Sequence, residues 1–190
     1  LTHEAYRRND GQRCFHCKDA LFDVLHRTRA ELGLAQLLYG YQRDDTGEHR
    51  PGQRAAEQHA VATPLADAGL GKSEIRALSR QLGIPNVDRP AQPCLASRLH
   101  YGTVVDRGYL LLVERVEAFL RERGIIESRA RFDGATLRIE VPLVALPAVA
   151  CADWREELVA LARREGATFV ALDLEGFASG KTNRLLEVLE

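Results

Sequence analysis

Apolar positions along the chain recur with a helical period in four stretches and with a strand-like period in five. Residues 4–32 read as mainly helical: Leu21, Val24, Leu25 and Thr28 repeat at helical spacing and Gly33 ends the run. Ile75, Leu78 and Leu82 form one face of a helix over Ser73–Leu82 that stops at Gly83. Asp106 is a candidate N-cap for a helix to Arg123, with Leu110, Val113, Val116 and Leu120 turned inward and Gly124 as terminator. A fourth helix covers about Asp153–Glu165. Short strands are expected at Leu37–Tyr41, Ala60–Leu65, Arg129–Phe132, Leu137–Val141 and Phe169–Leu174, the middle pair turning about Asp133-Gly134. Residues 43–52 carry too many charges and breakers to be regular.

These elements fall into two groups. The first half reads helix, strand, loop, strand, helix, the order of a parallel α/β sheet, which binds ligands at the carboxyl ends of its strands. Two strands are too few for the usual four to six. The second half reads helix, two strands, helix, strand: a small α+β unit with helices on one face of an antiparallel sheet. Pro85, Pro90 and Pro93 interrupt the chain between them, because proline cannot continue a helix. The expected division is therefore 1–92 and 93–190. The sequence has no methionine and begins Leu1-Thr2-His3, which together with the missing strands leads us to expect that a preceding segment is absent.

Composition narrows the function classes. Formal net charge is −1, from 26 Lys+Arg against 27 Asp+Glu, so no strong basic field argues for nucleic acid. No apolar run reaches the roughly 18 residues of a membrane helix. Four cysteines, two of them in a Cys-x-x-Cys, fit a reducing cytoplasm better than a disulfide framework.

The cysteines also carry the candidate chemistry. Cys14 and Cys17 lie in Arg13-Cys-Phe-His-Cys-Lys18, and Cys94 in Pro93-Cys-Leu-Ala-Ser-Arg98. Three thiolates are one short of a closed structural zinc site; on a four-iron cluster they leave one iron open. The residues alone leave three readings open: an iron–sulfur cluster, a zinc site completed by His16 or Cys151, or a redox pair. Cys94 sits in a proline-flanked loop near Arg89 and Arg98, which suit a thiolate. Cys151, in Val149-Ala-Cys-Ala152, reads as a core residue. Arg129 and Arg131, two apart in a strand, share a face and offer forked donors that suit a phosphate.

An ordered set of motifs runs through the whole chain: Arg13-Cys-x-x-Cys-Lys18, Arg50-Pro-Gly52, Pro64-Leu65, Lys72-Ser-Glu-Ile-Arg76, Leu82-Gly-Ile-Pro85, Pro93-Cys-Leu-Ala-Ser-Arg98, Tyr101-Gly102, and Leu172-Asp-Leu-Glu-Gly-Phe177 with Gly180 and Asn183. The set resembles the LarE family, ATP-dependent sulfur transferases of nickel-pincer nucleotide biosynthesis within the PP-loop ATP pyrophosphatases. The resemblance implies the distal part of a PP-loop domain followed by a small α+β domain. It implies that the carboxylate of a pyridinium mononucleotide is adenylated and converted to a thiocarboxylate. Some members of the family sacrifice one cysteine; others hold a 4Fe-4S cluster on three, and Cys14, Cys17 and Cys94 match the second type. Further implied roles are Arg129 and Arg131 on the substrate phosphate and Glu117 and Cys94 in catalysis; Ser97 and Arg98, by their place beside Cys94, are candidate substrate contacts. Asp44, Asp45 and Arg50 fall in the loop after the first strand, where magnesium or the adenylate would be held.

The chain departs from the family in lacking Ser-Gly-Gly-x-Asp-Ser, so ATP and magnesium are expected to bind through a segment outside these residues. His49 stands where the family more often has tyrosine. A zinc-stabilised module without catalysis and another PP-loop enzyme, such as a tRNA thiolase, remain the alternative classes. The oligomeric state, including a homo-oligomer, is left open.

Overall fold

The computed structural model describes residues 1–46, 51–89, 93–178 and 181. Arg50, with Gly47, Glu48 and His49, lies outside the described residues, as do Gly180 and Asn183. The fold is mixed α/β, with eight α-helices and one three-stranded sheet among the described residues. The chain divides into two compact units: a proximal unit, Gln12–Gln92, and a distal unit joining Leu1–Gly11 to Pro93–Glu190.

The distal unit begins with a short helix α1 (Glu4–Arg7), after which Asn9 adopts φ +56°, a left-handed conformation that asparagine tolerates. Its fully buried amide donates to the carbonyls of His100 and Thr103, both at 2.7 Å. Val105 and Gly102 amides donate back to Arg7 and Asn9. These bonds attach the first eleven residues to the segment after Pro93.

The long helix of this unit, α6 (Arg107–Glu122), starts at Asp106, whose carboxylate accepts from the Gly108 amide at 2.7 Å. It buries Leu112, Val113, Val116 and Leu120. Leu110 lies at the edge of this core. Strand β1 (Arg129–Phe132) pairs antiparallel with β2 (Thr136–Glu140). Asp133 closes the turn by accepting from the Ala135 and Thr136 amides, and Gly134 takes φ +103°. Helices α7 (Leu146–Ala150) and α8 (Arg155–Arg164) then carry the chain across to β3 (Phe169–Leu172).

That crossover corrects the expected all-antiparallel sheet: β3 runs parallel to β2, the direction a helical connection imposes. Cys151, expected in the core, is exposed. It is the C-cap of α7, and Val149 is the buried residue of that turn.

The sheet has two unlike faces. Ala130, Phe132, Leu137 and Ile139 point into the core with α6, Leu158 and Ala162. Burying these apolar atoms is worth about 1.5–3 kcal/mol for each large side chain. Arg129, Arg131, Arg138 and Glu140 alternate with them onto the other face, paired as Arg129 with Glu140 and Arg131 with Arg138.

In the proximal unit, helix α2 (Arg13–Glu31) packs on α3 (Pro51–Gln58). Phe22, Ala55, Ala56 and Val61 form its core, with Phe15, Leu25, Leu37 and Tyr39 around them. The stripe read from the sequence is only partly buried, since Leu21 and Val24 are exposed. The two strands expected here contract to one parallel bridge, Leu38 with Ala62, closed by Tyr39 and Ala62 amides. Residues 51–58, read partly as loop, are helical. A short helix α4 (Pro64–Asp67) and the amphipathic α5 (Lys72–Gln81) complete the unit. Leu78 and Leu82 of the expected α5 face are exposed. Gly33 and Gly83 take positive φ where both helices were expected to end.

Candidate functional site

The distal unit gathers five of the expected site residues around one loop. Pro93 and Cys94 lead into a 3-10 turn, Leu95–Arg98, and then Leu99, which bridges to Phe132 at the end of β1. Cys94 is exposed while Arg98, four residues later, is buried. The polarity of the turn thus runs from an accessible thiol to an interior guanidinium.

A cation can be buried at this depth only against a carboxylate. Glu117 on α6 supplies it: Arg98 Nε and Nη2 donate to the two carboxylate oxygens at 2.8 and 3.0 Å, with both side chains less than a tenth exposed. Glu117 also accepts from the Ala130 amide at 3.1 Å. Glu117 is therefore no solvated helix charge, and α6, β1 and the Cys94 loop meet at its carboxylate. Arg98 Nη1 reaches the Pro93 carbonyl at 2.9 Å, Ser97 Oγ at 3.1 Å and the Cys94 carbonyl at 3.4 Å. Ser97 Oγ donates to the Cys94 carbonyl at 2.7 Å.

The charged sheet face continues this network. Arg131, buried, donates to Glu140 at 3.2 Å and to the Ser97 carbonyl at 2.9 Å. Arg138 takes the other oxygen of Glu140 at 3.2 Å and lies 3.3 Å from Asp173, an ion contact without hydrogen-bond geometry. Lys181 donates to Asp173 at 2.7 Å. Burial alone would push the Asp173 carboxyl up, but the Lys181 ammonium and the Glu175 amide outweigh it and hold the carboxyl below its usual range.

Arg129 differs from its neighbours. Half-buried, it donates to the Ser128 carbonyl at 2.7 Å and stacks over the Phe177 ring at 4.9 Å, with no carboxylate in contact among the described residues. Burial and then the Arg98 guanidinium lower its pKa, which marks a cation short of negative charge. His100 Nε2 is buried without a hydrogen bond among the described residues, and burial followed by Arg138 lowers the pKa of the ring. Sequence reasoning missed Arg138, Glu140 and His100. The alternation that places Arg129 and Arg131 on one face also places Arg138 and Glu140 there, so that signal was present.

In the proximal unit, Cys14 and Cys17 lie three apart near the start of α2, on one side of the helix and both exposed. The three cysteines are thus divided, two on one unit and one on the other. Within neither unit do three His, Cys, Asp or Glu side chains converge on a metal-sized site among the described residues. As donors, three accessible thiols, two at helical spacing, fit the thiolate chemistry of an iron–sulfur cluster or of zinc.

Asp44 and Asp45 occupy a 3-10 turn, Arg43–Asp45. Asp44 accepts from the Lys72 amide at 2.7 Å, and Arg43 bridges it to Glu74 at the same helix start. The Lys72 amide is also the main reason its carboxyl sits low. Asp44 therefore secures the N-terminus of α5, and Asp45 accepts from the Gln42 amide.

The distal unit of this α/β protein thus carries a surface thiol on a loop tied to an arginine-rich sheet face. Comparison with known proteins finds relatives along nearly the whole chain. The chain is 38% identical over 186 residues to an uncharacterised protein of Synechocystis sp. (strain ATCC 27184 / PCC 6803 / Kazusa), covering 98% of this chain and 69% of that one. It is 29% identical over 188 residues to the pyridinium-3,5-bisthiocarboxylic acid mononucleotide synthase of Lactiplantibacillus plantarum, 98% of this chain and 67% of the synthase. An uncharacterised protein of Methanocaldococcus jannaschii matches at 29% over 174 residues. No protein-family model matches. The chain spans about two thirds of the length of these relatives. It belongs to the family they share, the LarE family.

Proposed function

We propose that the chain is the sulfur-delivering part of a LarE-type enzyme, which converts an activated carboxylate of a pyridinium mononucleotide to a thiocarboxylate in making the nickel-pincer cofactor precursor. The name of the Lactiplantibacillus relative supports the substrate class. The observation that carries the reading is that Arg131 bonds the Cys94 loop to the strand bearing Arg129. An exposed thiol and a cation without a carboxylate partner among the described residues are thereby built on one unit. Arg129 is the phosphate anchor; Arg131, held by Glu140 and the Ser97 carbonyl, fixes the strand beneath it.

Cys14, Cys17 and Cys94 would hold the 4Fe-4S cluster, which when bound supplies sulfide without consuming a cysteine. Activation by ATP and magnesium belongs to a PP-loop, a motif these 190 residues do not contain. In this reading 1–92 is the distal part of the PP-loop domain, apart from Leu1–Gly11, which pack with the substrate-binding domain, 93–190.

The test is anaerobic purification with iron, sulfide and zinc analysis of wild type and of Cys94→Ala. The expected result is a brown protein whose iron is lost in Cys94→Ala. Stoichiometric zinc that survives the substitution would refute the cluster and leave a zinc-stabilised module.

A further inference from the structure

The residues around Cys94 differ in what they have left to offer a ligand. A guanidinium has five N–H donors. Arg98 spends one from Nε and one from Nη2 on Glu117, and directs Nη1 at the Pro93 carbonyl and the Ser97 hydroxyl. Its side chain is about 4% exposed. Ser97 Oγ already donates its one proton to the Cys94 carbonyl. Both oxygens of Glu117 accept from Arg98, and one also takes the Ala130 amide. Arg98 and Ser97 are thus directed at the backbone of residues 93–94, and Glu117 at Arg98 and the Ala130 amide.

We propose that Arg98 and Glu117, with Ser97, are positioning residues for Cys94: the buried fork fixes the guanidinium, and the guanidinium and hydroxyl hold the carbonyls on either side of the thiol-bearing residue. The role of Glu117 is thus exerted through Arg98. Arg131 pins the far end of the same turn through the Ser97 carbonyl. Fixing donor geometry in this way limits the freedom an attacking or ligating sulfur must lose. The assignment rests on the reading of Cys94 as the sulfur-handling residue.

Arg98 could not be exchanged for lysine here. An ammonium reaches one carboxylate as a point charge and lacks the planar geometry that bonds Glu117 on one edge and two main-chain or hydroxyl oxygens on the other.

Hydrogen–deuterium exchange resolved to peptide 93–100 tests the assignment on two variants. Ser97→Ala removes one bond to the Cys94 carbonyl from a half-buried side chain, so the fold is kept. Exchange at the Ser97 and Leu99 amides, which bond Cys94 and Ala96 carbonyls, should rise about fivefold, as expected for the loss of one net hydrogen bond. Arg98→Met with Glu117→Met removes the fork without leaving a bare buried charge, and exchange should rise further. In both, α6 and β2 should exchange as slowly as in the wild type. Iodoacetamide labelling read by mass spectrometry should show the Cys94 rate changed relative to Cys151.

Wild-type exchange in peptide 93–100, or a rise spread equally through α6 and β2, overturns the positioning role. So does an unchanged ratio of Cys94 to Cys151 labelling. Should Arg98→Met/Glu117→Met fail to fold, Ser97→Ala alone decides. The functional reading fails separately, if Cys94→Ala retains both iron and sulfur transfer; that result leaves the exchange measurement untouched.

Discussion

Glu117→Ala offers the most quantitative check on the distal unit. Truncation strands the Arg98 guanidinium, whose side chain is 4% exposed, opposite a cavity, and leaves the Ala130 amide without its acceptor. Breaking a buried pair by removing one partner costs about 3–5 kcal/mol, most of it from the uncompensated charge. The stranded amide adds about 1–3 kcal/mol where water cannot reach it. Replacing both residues by methionine removes the charge problem and should cost far less. Trp154 is the sole tryptophan and packs against the core of this unit, so its fluorescence follows the unfolding of that unit. With a urea slope of about 1–3 kcal/mol/M, the midpoint should fall by about 2 M in Glu117→Ala. A double-mutant cycle with Arg98→Met should give a coupling of at least about 2 kcal/mol. A loss below about 1 kcal/mol in Glu117→Ala, typical of a surface substitution, would refute the burial argument, as would additive single effects.

Other outcomes follow from the same packing. Phe132→Ala, at a fully buried position, should destabilise the unit by about 3–5 kcal/mol, read by the same fluorescence. Asp106→Ala loses the bond to the Gly108 amide and should cost about 1 kcal/mol by the same assay. For His100 the folded pKa lies below the unfolded value, about 6.5. Its contribution is whole above that value and is lost as pH falls towards the folded pKa. Urea midpoints at pH 7 and pH 5 should therefore differ less in His100→Gln than in the wild type, and an equal difference would contradict the assignment.

Much of this molecule can be read from its sequence, and what cannot has definite physical reasons. Helices α5 and α6 have strong apolar periods and glycine terminators, and both fall within a residue or two of expectation. The hairpin of β1 and β2 follows from alternation around Asp133-Gly134. Alternation does not encode strand direction, however, so the parallel pairing of β3 was not visible. Helix α3 escaped because Pro-Gly-Gln-Arg-Ala-Ala-Glu-Gln offers only two alanines as its buried stripe, and small residues give a weak period. Cys151 looked internal by its neighbours, but it lies where α7 ends. The partner of Glu117 could not be found by pattern, since the 19 positions separating it from Arg98 match no local repeat. The candidate thiols were plain from spacing; their division between two units was not.

The alanines of α3 have a counterpart in Gly52, where a side chain would meet α2 at close range. A methyl group built there would stand 3.0 Å from Cγ of Lys18 and 3.5 Å from the Cys14 carbonyl oxygen. The first carbon of a side chain would displace the flexible Lys18 stem and rest in ordinary contact on the Cys14 carbonyl, in the turn that carries both sulfur atoms. The backbone of Cys14 therefore packs directly on a neighbouring helix, and the branched side chain of Gly52→Val should alter how the pair chelates a probe metal while leaving helix content nearly intact.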